Sequence, residues 1–273
     1  MGIGTDIAEV WTGDWDAAMA ALSWQFDLGA TEAISDAPVN RYEIGDTPRP
    51  VGAVSRNPVA SPAPVARVPP TASDPAAVAR AMAAEASDLA KLAEIQASYD
   101  LCDLRKGARR FVFADGRPSA RVMILGGAPD REEDMGGAPF VGRAGQLLDR
   151  MLAAIGLSRT APDVLQAVYL ANILPWRPTG DRGPTPDELS MMMPFVERHI
   201  TLASPEVLVL MGDLPCTAVL GQVGITRLRG QWSQALGLPV LPMCHPDYLL
   251  RNPHAKREAW ADLLTLQARL RQP

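Results

Sequence analysis

The stretch Val122-Met-Ile-Leu125 is a short apolar run of the kind that forms a buried strand. Three later runs share this character: Val168-Tyr-Leu-Ala-Asn172, Val207-Leu-Val-Leu210 and Pro239-Val-Leu-Pro242. Stretches with helical spacing lie between or after them, near 143–156, 186–203, 213–220 and 254–270. Such alternation favours a parallel sheet with helices on both faces. The sequence therefore predicts an α/β fold with four parallel strands, and its functional residues should gather at the carboxyl ends of those strands.

The residues before the first strand differ from this domain in composition. Trp11 and Trp15 begin a series of apolar residues at helical spacing, which predicts an N-terminal helical segment over 1–46. Eight prolines between Thr47 and Pro75 predict an extended linker over 47–75. A helical stripe then opens the domain, which we expect to span 76–273. The stripe consists of Val78, Met82, Leu89, Leu92 and Ile95.

The composition is that of a globular protein, with 47% hydrophobic and 21% charged residues. No run of about 18 apolar residues is present, so no membrane span is expected. The N-terminus also lacks the order of a secretory signal. Three scattered cysteines are too few for a disulfide framework or a four-cysteine metal site. We therefore expect a reduced, cytoplasmic protein.

The net charge of −5 is unevenly distributed along the chain. Residues 1–100 carry a balance of −8, whereas residues 101–273 carry +3. A mildly basic body is compatible with a phosphate backbone as partner, although a charge of this size does not identify one.

Two motifs follow the first two predicted strands. Gly126-Gly-Ala-Pro-Asp130 is a turn at which the backbone can bend tightly and approach a ligand, and an ordinary strand-to-helix turn explains it equally well. Asn172 ends the second strand, where its amide can both donate and accept hydrogen bonds, as recognition of a nucleobase edge requires. A turn-forming asparagine is the commoner explanation for such a residue in isolation.

A third motif, His245-Pro-Asp-Tyr-Leu-Leu-Arg251, follows the fourth predicted strand. His245 is the histidine held by a proline at a strand end, whereas His199 and His254 lie in helical stretches and are expected to be structural or exposed. An imidazole is useful where negative charge develops in a transition state. The pair Leu249-Leu250 suits a wedge pushed into a base stack, or else a packing pair at a helix start.

Taken together, these segments resemble the uracil-DNA glycosylase superfamily, and its family 4 most closely. The resemblance runs through GGAPDREEDMGGAPFVGRAGQLLDRMLAAIGLSR and YLANILPWRPTGDRGPTPDELSMMMPFVERHI, then ITRLRGQW and HPDYLLRNPHAKREAW. It covers about residues 99–273, with the motifs in the family's order and at its spacing.

The resemblance implies a three-layer α/β/α sandwich and an enzyme that excises uracil from DNA. Because the bond to be cut is inaccessible inside a duplex, the damaged nucleotide must leave the base stack. By resemblance Phe140 stacks on the base, Asn172 pairs with its O4 and N3–H, and His245 hydrogen-bonds O2. The uracil-binding turn comprises Gly126, Gly127 and Ala128. The residues implied in DNA binding are Arg143, Gly145, Gln146, Leu249, Leu250 and Arg251.

The first departure from the family pattern concerns an acidic residue of the turn, which is Gly127 here, while Asp130 replaces a glycine. Three explanations stand open: Asp130 or Glu132 substitutes, stabilisation of the leaving group suffices, or activity is lost. We expect a working monofunctional glycosylase without a lyase step, in which His245 matters most and Asp130 is a second catalytic candidate. It would act as a monomer on uracil-containing DNA and release free uracil.

Two alternatives to this enzyme remain at the level of sequence. The first is a catalytically impaired module that binds uracil or abasic DNA, motivated by the lost carboxylate at Gly127. The second is an interaction scaffold dominated by the acidic N-terminal part.

The second departure concerns a four-iron four-sulfur cluster, which the family binds through four cysteines. Only Cys102 remains, and the other three positions are Tyr99, Trp176 and Met192. Because one thiolate cannot hold such a cluster, we predict no cofactor and no metal. Cys216 and Cys244 do not match the ligand pattern and are expected to be buried structural thiols.

Overall fold

The computed structural model describes residues 74–271, apart from the side chain of Asp181. The predicted helical segment over 1–46, and the linker up to residue 73, lie outside the described residues. Pro75 was assigned to the linker, but it is the first residue of a helix. Asp74 caps this helix by accepting a hydrogen bond from Ala76 N at 3.1 Å, which fixes where the helix begins.

Helices and strands alternate along most of the described chain. The helices are α1 (Pro75–Ala84), α2 (Leu89–Ser98), α3 (Leu104–Gly107), α4 (Arg131–Gly136), α5 (Gly142–Ala153), α6 (Pro186–Ala203), α7 (Asp213–Leu220), α8 (Ile225–Leu228), α9 (Pro246–Arg251) and α10 (Lys256–Leu270). The strands are β1 (Ala114–Gly116), β2 (Val122–Gly126), β3 (Val168–Asn172), β4 (Val207–Met211), β5 (Ser233–Ala235) and β6 (Leu238–Met243). Short 3₁₀ turns lie at Thr179–Asp181 and Pro253–Ala255.

The strands form one sheet in the order β1-β3-β2-β4-β6-β5. The four central strands are parallel, so the predicted parallel sheet is confirmed. The edge strands β1 and β5 pair antiparallel with β3 and β6 and were not predicted. Each has only three residues, which is too short for an alternating pattern to be recognised.

Both faces of the sheet are buried, because alternate residues of each central strand point into separate apolar cores. On β2, Met123 and Leu125 face a core shared with α1, α2 and α6. Val122 and Ile124 face a core shared with the leucines of α5 and α10. The predicted α/β fold with helices on both sides of the sheet is therefore confirmed.

The apolar stripe from Val78 to Ile95 belongs to two helices rather than one. Helix α1 ends at Ala84, and Asp88 starts α2 by accepting a hydrogen bond from Lys91 N at 2.8 Å. An aspartate that caps the start of α2 separates it from α1, although the helical spacing of apolar residues continues across the break.

His199 is a buried structural histidine, one of the two roles expected for it. Its ring stacks on Phe113 with centroids 4.4 Å apart, and its Nε2 lies 2.8 Å from the Tyr169 hydroxyl oxygen. Burial lowers the pKa of His199 to about 3, so it stays neutral within the core. Within residues 74–271, no helix combines the length and apolarity needed to cross a membrane.

Candidate active site

Three predicted site residues lie at the carboxyl edge of the parallel sheet. Gly126 ends β2 and Asn172 ends β3, and the two residues are paired in register. Strand β6 ends at Met243, two residues before His245. Parallel strands whose ends are level bring these residues to one edge, where ligands of open α/β sheets bind.

A cavity of about 210 Å³ opens at this edge, and its lining includes Ala128, Phe140 and His245. The Phe140 and His245 rings are near parallel, with centroids 5.6 Å apart. A methyl group at Gly126 would overlap Asn172 Oδ1 and lie 2.8 Å from Phe140 Cζ. The aromatic ring, the amide and the imidazole therefore surround one place in the structure.

His245 has a fixed hydrogen-bonding role because of its position at the start of α9. Its Nδ1 accepts a hydrogen bond from Asp247 N at 3.3 Å. Burial lowers the pKa of His245, which favours the neutral imidazole. In a neutral ring whose Nδ1 accepts, the proton resides on Nε2. His245 therefore offers a single N–H donor.

Asn172 has an unsatisfied amide group at the inner end of this site. The residue is 9% exposed, and its Nδ2 atom has no hydrogen-bond partner among the described residues. A buried donor without a partner costs about 1–3 kcal/mol. Such a group is therefore suited to a ligand that supplies an acceptor.

The backbone of Phe140 is held in an unusual conformation, with a φ of +51°. Its N–H donates to the carboxylate of Glu133, and its carbonyl oxygen accepts from Arg159 Nη2 at 3.0 Å. Because L residues rarely adopt a left-handed conformation, these contacts are needed to hold the ring in place.

Gly145 lies directly behind this backbone and is buried. A methyl group there would overlap the carbonyl oxygen of Phe140. The close packing explains why position 145 is a glycine. Gly145 is thus placed behind Phe140, and its contact with DNA stays a prediction.

The turn after β2 presents no carboxylate at its second position. A Cβ at Gly127 would meet Leu214 Cβ and Cδ2 at 3.3 Å, so this position faces an apolar neighbour on α7. The Gly126 and Gly127 carbonyl oxygens accept from Ile173 N and Leu174 N, each at 3.0 Å. These bonds tie the turn to the loop after β3.

Asp130 is the acidic residue best placed to replace the missing carboxylate. It lines the cavity and caps α4, with Oδ1 accepting from Glu133 N at 2.8 Å. Its Oδ2 forms no hydrogen bond with the described residues. Glu132, the other candidate, lines only the neighbouring groove and points toward Gly142.

A groove of about 280 Å³ adjoins the cavity and shares Asp130, Ala144 and Asp247 with it. Three residues predicted to bind DNA line this groove, namely Arg143, Leu250 and Arg251. Gln146 is exposed on the following turn of α5, three residues after Arg143.

Leu249 does not lie in this groove, contrary to the prediction that it contacts DNA. It is 1% exposed and belongs to the apolar core. Neighbouring residues of a helix point about 100° apart, so a short helix that buries Leu249 turns Leu250 toward solvent. Of the predicted leucine pair, only Leu250 is available as a wedge.

The four positions at which the resemblance implied cluster ligands form part of a packed apolar core. Tyr99, Cys102, Trp176 and Met192 are each at most 3% exposed. Tyr99 Oη donates to Pro75 O at 2.8 Å, and burial raises the pKa of the Cys102 thiol, which favours its protonated form. One thiol with tyrosine, tryptophan and methionine does not provide the thiolates that an iron–sulfur cluster needs.

Within residues 74–271, the other two cysteines and the acidic groups form no metal-binding cluster either. Cys216 and Cys244 are buried, and burial raises the pKa of Cys216 to about 12. Both therefore behave as structural thiols. No group of three or more His, Cys, Asp or Glu residues suited to a metal occurs in the described part of the chain.

Two important residues of the site were not singled out from the sequence. Glu133 accepts hydrogen bonds from Asp130 N at 2.7 Å and from Phe140 N. Its spacing from Asp130 is that of a capping box, which was a usable signal. Arg159, which bonds the Phe140 carbonyl and the carboxylates of Asp115 and Asp149, carries no local signal.

Comparison with known proteins identifies the class to which this fold and site belong. The profile of the uracil DNA glycosylase superfamily matches residues 113–264. The chain belongs to the uracil-DNA glycosylase superfamily.

Within that superfamily the chain is family 4-like. A type-4 uracil-DNA glycosylase of Thermotoga maritima is 36% identical over 154 residues, which cover 55% of this chain and 77% of the relative. A type-4 uracil-DNA glycosylase of Archaeoglobus fulgidus is 33% identical over 172 residues, which cover 59% of this chain and 82% of the relative.

Proposed function

We propose that this protein is a DNA repair glycosylase that hydrolyses the N-glycosidic bond of uracil in DNA, releasing uracil and leaving an abasic site. One observation carries the proposal, namely that Phe140 and His245 line one small cavity at the carboxyl edge of the sheet, with the Asn172 amide beside Phe140. A cavity of about 210 Å³ suits a single base rather than a base pair. The target nucleotide therefore enters after rotating out of the base stack.

Recognition of the base rests on stacking and on two hydrogen bonds. The Phe140 ring provides a flat apolar surface, held by the contacts of its backbone on both sides. The unpaired Nδ2 of Asn172 donates to uracil O4, and its Oδ1 accepts from N3–H. Cytosine presents a donor and an acceptor in the opposite order, so it does not satisfy this amide.

Cleavage rests on stabilising the base as it departs with negative charge. His245 Nε2–H donates to uracil O2, where that charge accumulates. The deoxyribose becomes cationic as the bond breaks, and the free Oδ2 of Asp130 steadies it or positions the attacking water. His245 and Asp130 thereby act on opposite halves of the breaking bond.

A lyase step is not part of the proposed reaction, because it requires an amine nucleophile. The chain has three lysines, Lys91, Lys106 and Lys256. Lys91 and Lys106 form exposed ion pairs on α2 and α3, and Lys256 lines a different cleft. None of the three lines the cavity at the sheet edge.

The groove beside the cavity is the proposed path of the DNA backbone. Arg143 and Arg251 supply positive charge there, and Leu250 supplies an apolar wedge in the same groove. Arg251 already pairs with Asp247 at 2.7 Å, so a phosphate has to compete with this carboxylate. A monomeric state and a cytoplasmic location complete the proposal.

The test is a cleavage assay on a single-stranded oligonucleotide with one uracil, followed by alkali to break abasic sites. We expect product from the full-length protein and none from the matching thymine oligonucleotide. The absent carboxylate at Gly127 motivates a second candidate, a module that binds uracil or abasic DNA. Tight binding of the uracil strand without product would establish this module and overturn the enzyme.

Replacing Asp130 by serine separates its two roles. A serine oxygen still caps α4, but the carboxylate beside the cavity is lost. We expect the single-turnover rate to fall by about 100-fold while the melting temperature hardly changes. Asp74→Ser makes the same substitution at the cap of α1 and should leave the rate unchanged. A wild-type rate in Asp130→Ser would assign catalysis to leaving-group stabilisation alone.

Iron analysis tests the proposal that the enzyme works without a cluster. The protein purified without oxygen should be colourless and contain no stoichiometric iron, because the four core positions offer one thiol. Treatment with a chelator should leave uracil excision unchanged. Four irons per chain, or a loss of activity on chelation, would contradict this prediction.

A further inference from the structure

The carboxylate of Glu133 contacts two backbone positions of the site, those of Asp130 and Phe140. It belongs to α4, is 7% exposed and lines the same cavity as Phe140 and His245. One oxygen accepts from Asp130 N and the other from Phe140 N. Both oxygens are therefore committed to backbone donors, which fixes the orientation of the carboxylate.

Asn172 is a polar side chain next to this carboxylate. Its amide is near enough to lower the pKa of Glu133, although Nδ2 forms no hydrogen bond within the described part of the chain. Its Oδ1 is directed toward the backbone of Gly126. The amide therefore presents its donor toward the side of Glu133 and its acceptor toward β2.

The direction of an asparagine amide decides which pyrimidine it can bind. With Nδ2 in its present place the group complements O4 and N3–H of uracil, and after a 180° rotation it complements N3 and the amino group of cytosine. An ionised carboxylate only accepts hydrogen bonds, so it disfavours the rotated form, in which Oδ1 would face it.

We propose that Glu133 is a positioning residue that locks the Asn172 amide in the orientation that accepts uracil and rejects cytosine. The inference rests on the proposed function and adds to it the source of the enzyme's selectivity. Since undamaged DNA contains cytosine in great excess, an amide free to rotate would admit a normal base. Glu133 acts through Asn172 and does not itself contact the base.

The test compares two buried carboxylates of the same helix. Glu133→Gln keeps the shape of the side chain but adds an N–H donor. This donor can bond to Asn172 Oδ1 when the amide is rotated, so the rotated form is no longer disfavoured. Asp134→Asn is the matched control, because Asp134 is 4% exposed and accepts from Arg109 N and Arg110 N, away from the cavity. Both variants lose a buried carboxylate, but only the carboxylate of Glu133 is next to Asn172.

The measurement is the inhibition of uracil excision by free uracil and by free cytosine. We expect Glu133→Gln to shift the ratio of the two inhibition constants toward cytosine by at least about 10-fold. Asp134→Asn should leave the ratio at the wild-type value, even where its melting temperature falls. If the ratio is unchanged in Glu133→Gln, or if cytosine still does not inhibit that variant, the inference is overturned. The proposed function would not be affected by this result. Wild-type protein that excises no uracil overturns both.

A pH series on the wild type gives a second readout that does not depend on a folded variant. Burial, with a smaller contribution from the negative charge of Asp130, raises the pKa of Glu133 to about 7, so the carboxylate gains a proton as the pH falls through 7. Rejection of cytosine should then be weaker at pH 6 than at pH 8. His245 and Asp247 also line the cavity, but burial lowers the pKa of His245, and neither side chain accepts hydrogen bonds from two backbone donors. Equal selectivity at both pH values contradicts the inference.

Discussion

Replacing His245 by alanine should lower the single-turnover rate of uracil excision by about 100- to 1,000-fold. The variant removes the Nε2–H donor that we propose binds uracil O2, so the departing base should lose this stabilisation. Binding of uracil-containing DNA should change little, because Phe140, Asn172 and the groove are untouched. The rate constant at saturating enzyme measures the loss directly.

His254→Ala is the matched control, since His254 is exposed on the 3₁₀ turn before α10 and lines neither cavity at the sheet edge. It should retain the wild-type rate. If His245→Ala also kept that rate, the charge on the leaving base would have to be stabilised by another group, and the proposed mechanism would be wrong.

Gly126→Ala should lower the excision rate by about 100-fold or more, although the substitution adds a single methyl group. That methyl group overlaps Asn172 Oδ1 and comes within 2.8 Å of Phe140 Cζ. Both recognition side chains must move to accommodate it, and a displacement of about 1 Å at a reacting centre costs rates of this size. Single-turnover kinetics and the affinity for free uracil should both report the change.

The loss of excision rate in Gly126→Ala should result from the position of Gly126 in the site, and not from replacing a glycine by alanine in general. Gly183→Ala places its methyl group in open space, in an exposed loop without a positive φ, and should leave the rate at the wild-type value. A circular dichroism melt should show both variants folded. A fully active Gly126→Ala would mean that Phe140 and Asn172 do not bind the base where the structure brings them together.

Much of the fold could be predicted because the parallel strands are continuous apolar runs. Predicting the strand at Val122 to Leu125 and the three other parallel strands required no knowledge of tertiary contacts, since buried parallel strands are apolar on both faces. The edge strands were not predicted because three residues are too few to show a periodic pattern. The break between α1 and α2 escaped because the cap at Asp88 interrupts the helix without interrupting the spacing of apolar residues.

The site was predictable where a residue's role follows from its place at a strand end. Gly126, Asn172 and His245 fall into this class. Glu133 and Arg159 do not, because their importance arises from contacts with the Phe140 backbone that exist only in the folded chain. Leu249 and Leu250 show the same limit, since only the packed helix decides which leucine is fully buried.

The core around Tyr99, Cys102, Trp176 and Met192 has a consequence for the conditions under which repair can proceed. If no cluster occupies this core, as proposed, the domain would mature without cluster-assembly machinery and would offer peroxide or superoxide no labile inorganic centre to destroy. We expect uracil removal by this protein to persist in iron-starved or oxidatively stressed cells, the circumstances in which enzymes that carry such centres fail.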